Sequence, residues 1–121
     1  MLNDAATEPK EGRMFRKQDT SASRETLPGI ILEPLAWGER ASMTKFHLAK
    51  GSSIPLHSHT HEQIGCLVSG HVTFLVGDEE VDTVPGDSWA FAGGEPHGVK
   101  VLEDAIIIEV FAPVREEYLP D

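Results

Sequence analysis

The chain has 121 residues, which suits a single domain, and 40% of them are hydrophobic, enough for one core. The net charge of −10 disfavours binding to nucleic acids and to anionic membranes, because like charges repel. A single cysteine, Cys66, excludes an internal disulfide framework and fits a reducing compartment. No apolar run reaches the length of a membrane span, and residues 1–13 lack the apolar segment of a signal peptide. We therefore expect a cytoplasmic protein.

Residues 1–23 are mostly polar and charged, and we predict that they form a flexible arm, with Met14 as an alternative start. From residue 24 to residue 121 we predict one domain. Short apolar or alternating runs recur there, each followed by turn residues, at 29–32, 41–49, 63–68, 71–76, 80–84, 88–91, 98–102 and 105–111. This pattern is typical of an antiparallel barrel or jelly roll, here with about eight strands. Only residues 113–119 are a candidate for a helix, of at most two turns.

Ser69 and Gly70 separate the runs at 63–68 and 71–76. A two-residue link that ends in glycine is typical of a hairpin with a primed turn. We therefore predict that these two runs pair directly with each other.

Five of the six histidines lie between positions 57 and 97: His57, His59, His61, His71 and His97. If His57 and His59 lie on one strand, their side chains point to the same face, about 6.5–7 Å apart along the backbone. Gln63 has the same parity. Imidazole nitrogens suit zinc, copper, iron, nickel or manganese. Spacing alone leaves a metal site and ordinary surface or core histidines as equal alternatives.

Two segments of the chain resemble the two motifs of the cupin superfamily. The first motif has the order Gly-x5-His-x-His-x3-Gln-x6-Gly and consists of Gly51, His57, His59, Gln63 and Gly70. The second has the order Gly-x5-Ala-x-Gly-x2-His-x3-Val and consists of Gly86, Ala92, Gly94, His97 and Val101. The usual acid, proline and asparagine of these motifs are replaced by Gln63, Ala92 and Val101.

The cupin resemblance implies an all-β fold, the double-stranded β-helix. It also implies a set of four ligands for a divalent transition metal such as zinc, nickel, manganese or iron: His57, His59, Gln63 and His97. We expect His61 at the rim of this site or behind the ligands. We expect His47 and His71 to be solvated or packed without a special role.

Residues 105–111 form the most apolar stretch of the chain, and Glu109 is its only charge. A strand that is apolar on both faces is buried, and a buried acid is costly unless it is paired or functional. The alternative is that Glu109 faces solvent at the rim or pairs with a structural base. Pro113 ends the run, so the chain could turn there and bring Arg115 over the barrel mouth. A guanidinium there would bind a carboxylate through two hydrogen bonds, the alternative being a surface salt bridge.

The chain from Ser53 to Leu119 is similar to the KdgF group of small single-domain cupins, which act in pectin and alginate breakdown. The similarity rests on residues 55–64, 68–70, 86–88, 97–98 and 111–116. Members of that group also use glutamine as a metal ligand, and the resemblance implies that Glu109, Phe111 and Arg115 are catalytic residues. The acid of the group is Asp, and the longer arm of Glu109 shifts the carboxylate by about 1.5 Å.

The KdgF resemblance implies a carboxylate-bearing sugar acid as the substrate. The reaction would open the ring of a 4,5-unsaturated uronate to a linear 4-deoxy-5-keto-uronate. Because a fold does not fix a function, three alternatives stay open: an Fe(II)-dependent dioxygenase, a lyase or isomerase on a small acid, and a non-catalytic metal-binding or sugar-binding cupin. Cupin sulfonio-propionate lyases have Glu as the third ligand and catalytic tyrosines, whereas this chain has Gln63 and one tyrosine, Tyr118.

Small cupins commonly dimerise, so we expect a homodimer. The run at 29–32, together with Leu35 and Trp37, could supply the contact face. The alternative is that these residues cover the end of their own barrel. Trp89 and Phe91 flank the second motif, and we interpret both as core residues.

Overall fold

A computed structural model describes residues 14–120 of the chain. Eight strands lie in this range: β1 Arg24–Leu27, β2 Ile30–Trp37, β3 Ser42–Leu48, β4 Ser53–His57, β5 Glu62–Val76, β6 Glu79–Thr83, β7 Ser88–Phe91 and β8 His97–Ala112. The helical segments of this range are two 3-10 helices, Thr20–Ala22 and Glu116–Tyr118. Neither is long and apolar enough to cross a membrane. The predicted all-β fold is confirmed.

The predicted polar arm lies partly outside the described residues, which begin at Met14. The first 3-10 helix belongs to the remaining part of the arm, and Asp19 caps it by accepting a hydrogen bond from the backbone N–H of Ser21 at 3.0 Å. The second 3-10 helix lies within residues 113–119, the only segment for which the sequence indicated a helix.

The strand pairs are all antiparallel, in the order β1-β2-β3-β8-β5-β6, with β4 paired to β8 and β7 paired to β5. The two longest strands, β5 and β8, form the spine of the barrel. Their ladder runs from the pair Glu62 and Ala112 to the pair Val76 and His97. Each of the other strands except β1 and β2 is attached directly to this spine.

The β5–β8 ladder bends sharply near its middle. A straight strand from Gln63 to Val76 would be about 43 Å long. However, Gln63 lines the same small cavity as His97, which is the ladder partner of Val76. The register of the ladder shifts between Leu67 and Val72, and Gly70 in this stretch has a φ of +92°. The bend therefore brings the two ends of the ladder together around one cavity.

The hairpin predicted at Ser69 and Gly70 is wrong, because both residues lie inside β5. The runs at 63–68 and 71–76 do not pair with each other, since both pair with β8. In the same way, the predicted runs at 98–102 and 105–111 are joined in one strand. Strands β1 and β4 had no counterpart among the predicted runs.

The core fills the inside of the barrel with apolar side chains: Ile30, Leu32, Phe46, Leu48, Leu67, Val72, Phe74, Phe91, Val99, Val101, Ala105, Ile107 and Phe111. Ile30 and Leu32 are among them, so this part of the run at 29–32 covers its own barrel. Ile31 and Trp37 remain exposed. The buried positions of β8 alternate from Ala105 to Phe111, which turns Glu109 inward among apolar neighbours.

Replacing Gly70 with alanine should reduce the free energy of unfolding by more than about 4 kcal/mol. Losses of this size are exceptional for single substitutions and arise from causes such as backbone strain or disruption of the core. A Cβ atom at this position would lie 2.2 Å from the backbone oxygen of Asp104 and 2.5 Å from Cα of Ala105. Urea denaturation of Gly70→Ala measures the loss. Gly77→Ala is the matched control, since Gly77 has a φ of +62° but open space around it. It should lose only about 1–2 kcal/mol. Equal losses in the two variants would contradict the bend.

Candidate metal centre

Three histidines from different parts of the barrel converge at one point. His57 is the last residue of β4 and lies directly across the ladder from His97, the first residue of β8. His59 lies in the loop after β4, so it does not share a strand with His57 as the sequence analysis assumed. The candidate ligand nitrogens of these rings all lie within 4.8 Å of one another. That spacing allows the three imidazoles to hold one metal ion.

The chain's own backbone orients each of these three imidazoles. Nδ1 of His57 lies 2.9 Å from the carbonyl oxygen of Pro55, and Nδ1 of His97 lies 2.8 Å from that of Glu95. Nδ1 of His59 lies 3.1 Å from the carbonyl oxygen of residue 61. Because a carbonyl only accepts hydrogen bonds, each Nδ1 carries the proton, and each Nε2 presents a lone pair. Nε2 of His97 is buried and has no hydrogen-bond partner within residues 14–120.

Gln63 supplies a fourth neutral donor. Its amide nitrogen donates a hydrogen bond to Oε2 of Glu109, which turns its amide oxygen toward His59. This oxygen lies 2.9 Å from Nε2 of His59, so two lone pairs face each other. A cation bound by both atoms would remove the repulsion between these two lone pairs. The donor set, three imidazole nitrogens and one amide oxygen, therefore fits a divalent transition metal.

Burial keeps two of the histidines in the form that binds metal. Desolvation lowers the pKa of His59 and of His97, because the imidazolium form is disfavoured away from water. The positive charge of Arg115 lowers both pKa values further. Neutral imidazoles at physiological pH are available as ligands without first losing a proton.

Glu109 lies beside this centre and is 4% exposed. Its Oε2 accepts hydrogen bonds from the indole N–H of Trp89 at 2.9 Å and from the amide of Gln63. Burial raises the pKa of Glu109, and the two donors and Arg115 oppose that rise. Gly65 lies in register with both Trp89 and Glu109. A Cβ there would lie 2.7 Å from Nε1 of Trp89 and 2.8 Å from Cγ of Glu109, so glycine leaves room for the pair.

Arg115 packs against two aromatic rings in the same cavity as Glu109. The side chain of Arg115 is 11% exposed, and its Cζ lies 4.9 Å from the ring centre of Phe111 and 4.0 Å from that of Tyr118. Its Nε lies 3.3 Å from a carboxylate oxygen of Glu117. Glu109, Phe111, Arg115 and Tyr118 line one cavity together with Gln63 and two of the histidines.

The remaining histidines take different positions. The backbone oxygen of His61 accepts the hydrogen bond from His59, and the two rings lie 5.7 Å apart, so His61 lies behind a ligand. His47 and His71 lie away from the centre. Each pairs with a carboxylate oxygen, at 2.9 and 2.5 Å respectively.

Sequence reasoning missed the roles of Trp89 and Tyr118. The ring of Trp89 does pack against the core, as interpreted, but its N–H also holds Glu109. A strand register that aligns Trp89, Gly65 and Glu109 would have been the only signal for this contact. Tyr118 was noted only as the single tyrosine of the tail, yet it packs on the core and on Arg115.

Comparison with known proteins gives consistent matches. The family model described as "Cupin domain" matches residues 44–111. The pectin degradation protein KdgF of Dickeya dadantii (strain 3937) is 28% identical over 109 residues, which cover 88% of this chain and 99% of that protein.

Solved structures give the same picture. KdgF from Halomonas sp. aligns with a TM-score of 0.76 and 27% identity, covering 80% of this chain and 92% of that one. An RmlC-like cupin from Shewanella frigidimarina also aligns with a TM-score of 0.76, at 24% identity, covering 80% of this chain and 87% of that one. The second match bears on the fold alone.

The purified chain should bind one zinc ion, and His97→Ala should weaken that binding by more than about 100-fold. Losing a residue that only supports a ligand costs up to about 100-fold in metal affinity, so losing a ligand itself should cost more. The physical reason is that Nε2 of His97 is buried and has no hydrogen-bond partner among the residues that the structure describes. Equilibrium dialysis with metal analysis measures the affinity. His71→Ala removes an exposed histidine outside the centre and serves as the control, with circular dichroism to check folding. Equal affinity in the two variants would contradict the centre.

Proposed function

The chain belongs to the cupin domain family, and on this premise we propose that it opens the ring of a 4,5-unsaturated uronate, giving a linear 4-deoxy-5-keto-uronate. The similarity to two KdgF proteins, one of them named for pectin degradation, supports a sugar acid as the substrate class. The KdgF resemblance implies that Glu109, Phe111 and Arg115 are catalytic residues. All three line the same cavity as His57 and His97.

The proposal rests on one cavity that is lined by three kinds of functional group. Metal-ligand candidates, a buried acid and an arginine line it together: His57, Gln63, His97, Glu109 and Arg115. The cavity measures about 50 Å³. Because the three groups line the same cavity, a ligand bound at its mouth would face all of them.

Arg115 is the proposed anchor for the substrate carboxylate. Within residues 14–120, its two terminal nitrogens have no hydrogen-bond acceptor, and only Nε is engaged. A guanidinium whose two terminal nitrogens are available can donate two parallel hydrogen bonds to the two oxygens of a carboxylate. Phe111, which is 1% exposed, supplies an apolar wall beside it.

Glu109 is the proposed proton carrier. The reaction is an isomerisation. The hydroxyl on C1 loses a proton and becomes a carbonyl as the bond between C1 and the ring oxygen breaks. The ring oxygen becomes the carbonyl oxygen on C5 as the C4=C5 double bond is lost, and C4 gains a proton. Both hydrogen bonds to Glu109 reach Oε2, so Oε1 has no partner among residues 14–120. Burial raises the pKa of Glu109, so this carboxyl group holds a proton more readily than an exposed carboxylate does.

His57, His59, Gln63 and His97 would hold a divalent transition metal, for which zinc, nickel, manganese and iron are all candidates. Such an ion, when bound, supplies Lewis acidity toward a sugar oxygen. Because all four donors are neutral, the protein leaves the charge of the ion uncompensated. The role of Glu109 beside it is then to move the proton, and the role of Arg115 is to orient the sugar.

The proposed assembly is a cytoplasmic homodimer. Met43, Val110 and Ile64 lie in one row across β3, β8 and β5 on the outer face of the sheet. Met43 is 38% exposed and Ile64 is 50% exposed, so this face presents an apolar patch to solvent. A second copy is the occupant we propose, because two-fold homodimers are the commonest oligomers of soluble proteins. Analytical ultracentrifugation of the wild type and of Ile64→Lys tests this, and a monomeric wild type would refute it.

Protein loaded separately with zinc, nickel, manganese or Fe(II) should consume the unsaturated galacturonate released by a pectate lyase. The measurement is loss of the enol-ether absorbance. Glu109→Gln should lower kcat at least about 100-fold, the usual range for a general acid or base. Arg115→Ala should raise KM, because the carboxylate loses its partner. Glu80→Gln and Lys100→Ala, the members of an exposed ion pair at 3.0 Å, are the matched controls.

The variant Glu109→Asp adds a direct comparison with the acid of the KdgF group. Activity retained in both the wild type and Glu109→Asp would support glutamate as a working substitute. If no loaded form accelerates the reaction, the ring-opening proposal is wrong. Oxygen uptake by the Fe(II)-loaded form would then favour the dioxygenase alternative.

A further inference from the structure

Arg115 reaches the cavity from an irregular segment and needs to be held there. It follows the end of β8, and its backbone N–H donates a hydrogen bond to Oγ of Ser42 at 3.0 Å. Its one side-chain hydrogen bond within residues 14–120 is the 3.3 Å contact with Glu117, which is 60% exposed. Exposed ion pairs contribute little, because water and salt screen them. Glu117 alone therefore does not explain a well-placed guanidinium.

Tyr118 makes the closest ring contact to this guanidinium, at 4.0 Å from its centroid to Cζ of Arg115. The ring of Tyr118 is itself fixed edge-on against Phe46 at 5.7 Å and against Phe111 at 5.5 Å. The 3-10 helix that carries Tyr118 is tied to β1, because Arg24 donates hydrogen bonds to the backbone oxygens of Glu117 and Leu119. Tyr118 is thus a rigid surface on which the guanidinium lies.

We propose that Tyr118 is a positioning residue that holds Arg115 for carboxylate binding and so gives the site its selectivity for anionic over neutral sugars. The inference rests on the proposed function and deepens it. A ring that contacts the face of a guanidinium leaves the in-plane N–H groups free for a carboxylate. An acid that paired with the terminal nitrogens of Arg115 would block the same groups.

The ring of Tyr118, rather than its hydroxyl, carries this role. Within the described part of the chain, the hydroxyl makes no hydrogen bond, whereas the ring contacts Arg115, Phe46 and Phe111. Tyr118→Phe keeps the ring and removes only the hydroxyl. Tyr118→Leu keeps an apolar side chain of moderate size and removes the π face.

The test compares galacturonate with galactose, two sugars that differ in the carboxylate, on zinc-loaded full-length protein. Binding is measured by titration calorimetry or by NMR. Wild type and Tyr118→Phe should bind galacturonate more tightly than galactose. Tyr118→Leu should lose about tenfold in galacturonate affinity and leave galactose affinity unchanged. Zinc stoichiometry and the thermal midpoint, measured for each variant, identify a folding defect.

The outcomes separate the two proposals. If the wild type binds galacturonate selectively and Tyr118→Leu does so equally well, the role of Tyr118 is refuted while the proposed function stands. An equal loss in Tyr118→Phe would place the effect in the hydroxyl and would also refute the role of the ring. A wild type that does not prefer galacturonate would refute both the role of Tyr118 and the carboxylate site. If Tyr118→Leu weakens both sugars equally, the residue supports the pocket without setting its selectivity, and the inference is wrong.

Discussion

The bend in the β5–β8 ladder is the constraint on which the rest of the structure depends. One half of the ladder carries Gln63, Glu109 and Phe111, and the other half carries His97. β4 is attached to that second half and brings His57 with it. The register shifts around Gly70 turn the two halves toward each other, so residues from both ends of two long strands surround one cavity. The same bend closes the apolar core beneath the site.

The three candidate ligand histidines are oriented by local contacts rather than by distant partners. Each of the three histidines donates its Nδ1 proton to a backbone carbonyl two residues away. Outer partners of this kind fix both the tautomer and the direction of the ring. Gln63 differs, because its orientation is set by Glu109, a group that we assign to proton transfer. A metal ion bound by Gln63 would therefore be coupled to Glu109 through one amide, and we expect a substitution of Glu109 to change the affinity for the ion.

The sequence predicted features that depend on spacing and missed those that depend on tertiary contacts. Spacing alone left the histidines ambiguous, and only the resemblance to the cupin motifs implied His57, His59, Gln63 and His97 as one group. The structure brings the three histidines together. The hairpin at Ser69 and Gly70 could not be distinguished from a bend. A glycine with positive φ occurs in both, and what distinguishes them here is that Ser69 and His71 pair with Ile106 and Glu103 of β8, which are distant in sequence. Burial of Glu109 was predictable from its apolar neighbours. Its hydrogen bond with Trp89 was not, because predicting it would have required the register of β5 with both β7 and β8.

In this structure the protein presents three neutral Nε2 lone pairs to one point. Long-range ¹H–¹⁵N correlation spectra of the imidazole rings, recorded on metal-free protein and again after addition of zinc, measure this arrangement. We expect the Nδ1–H tautomer for His57, His59 and His97 before zinc is added, and zinc-induced shifts of Nε2 at these three residues. An Nε2–H tautomer at any of the three, or zinc shifts confined to His47 or His71, would contradict it.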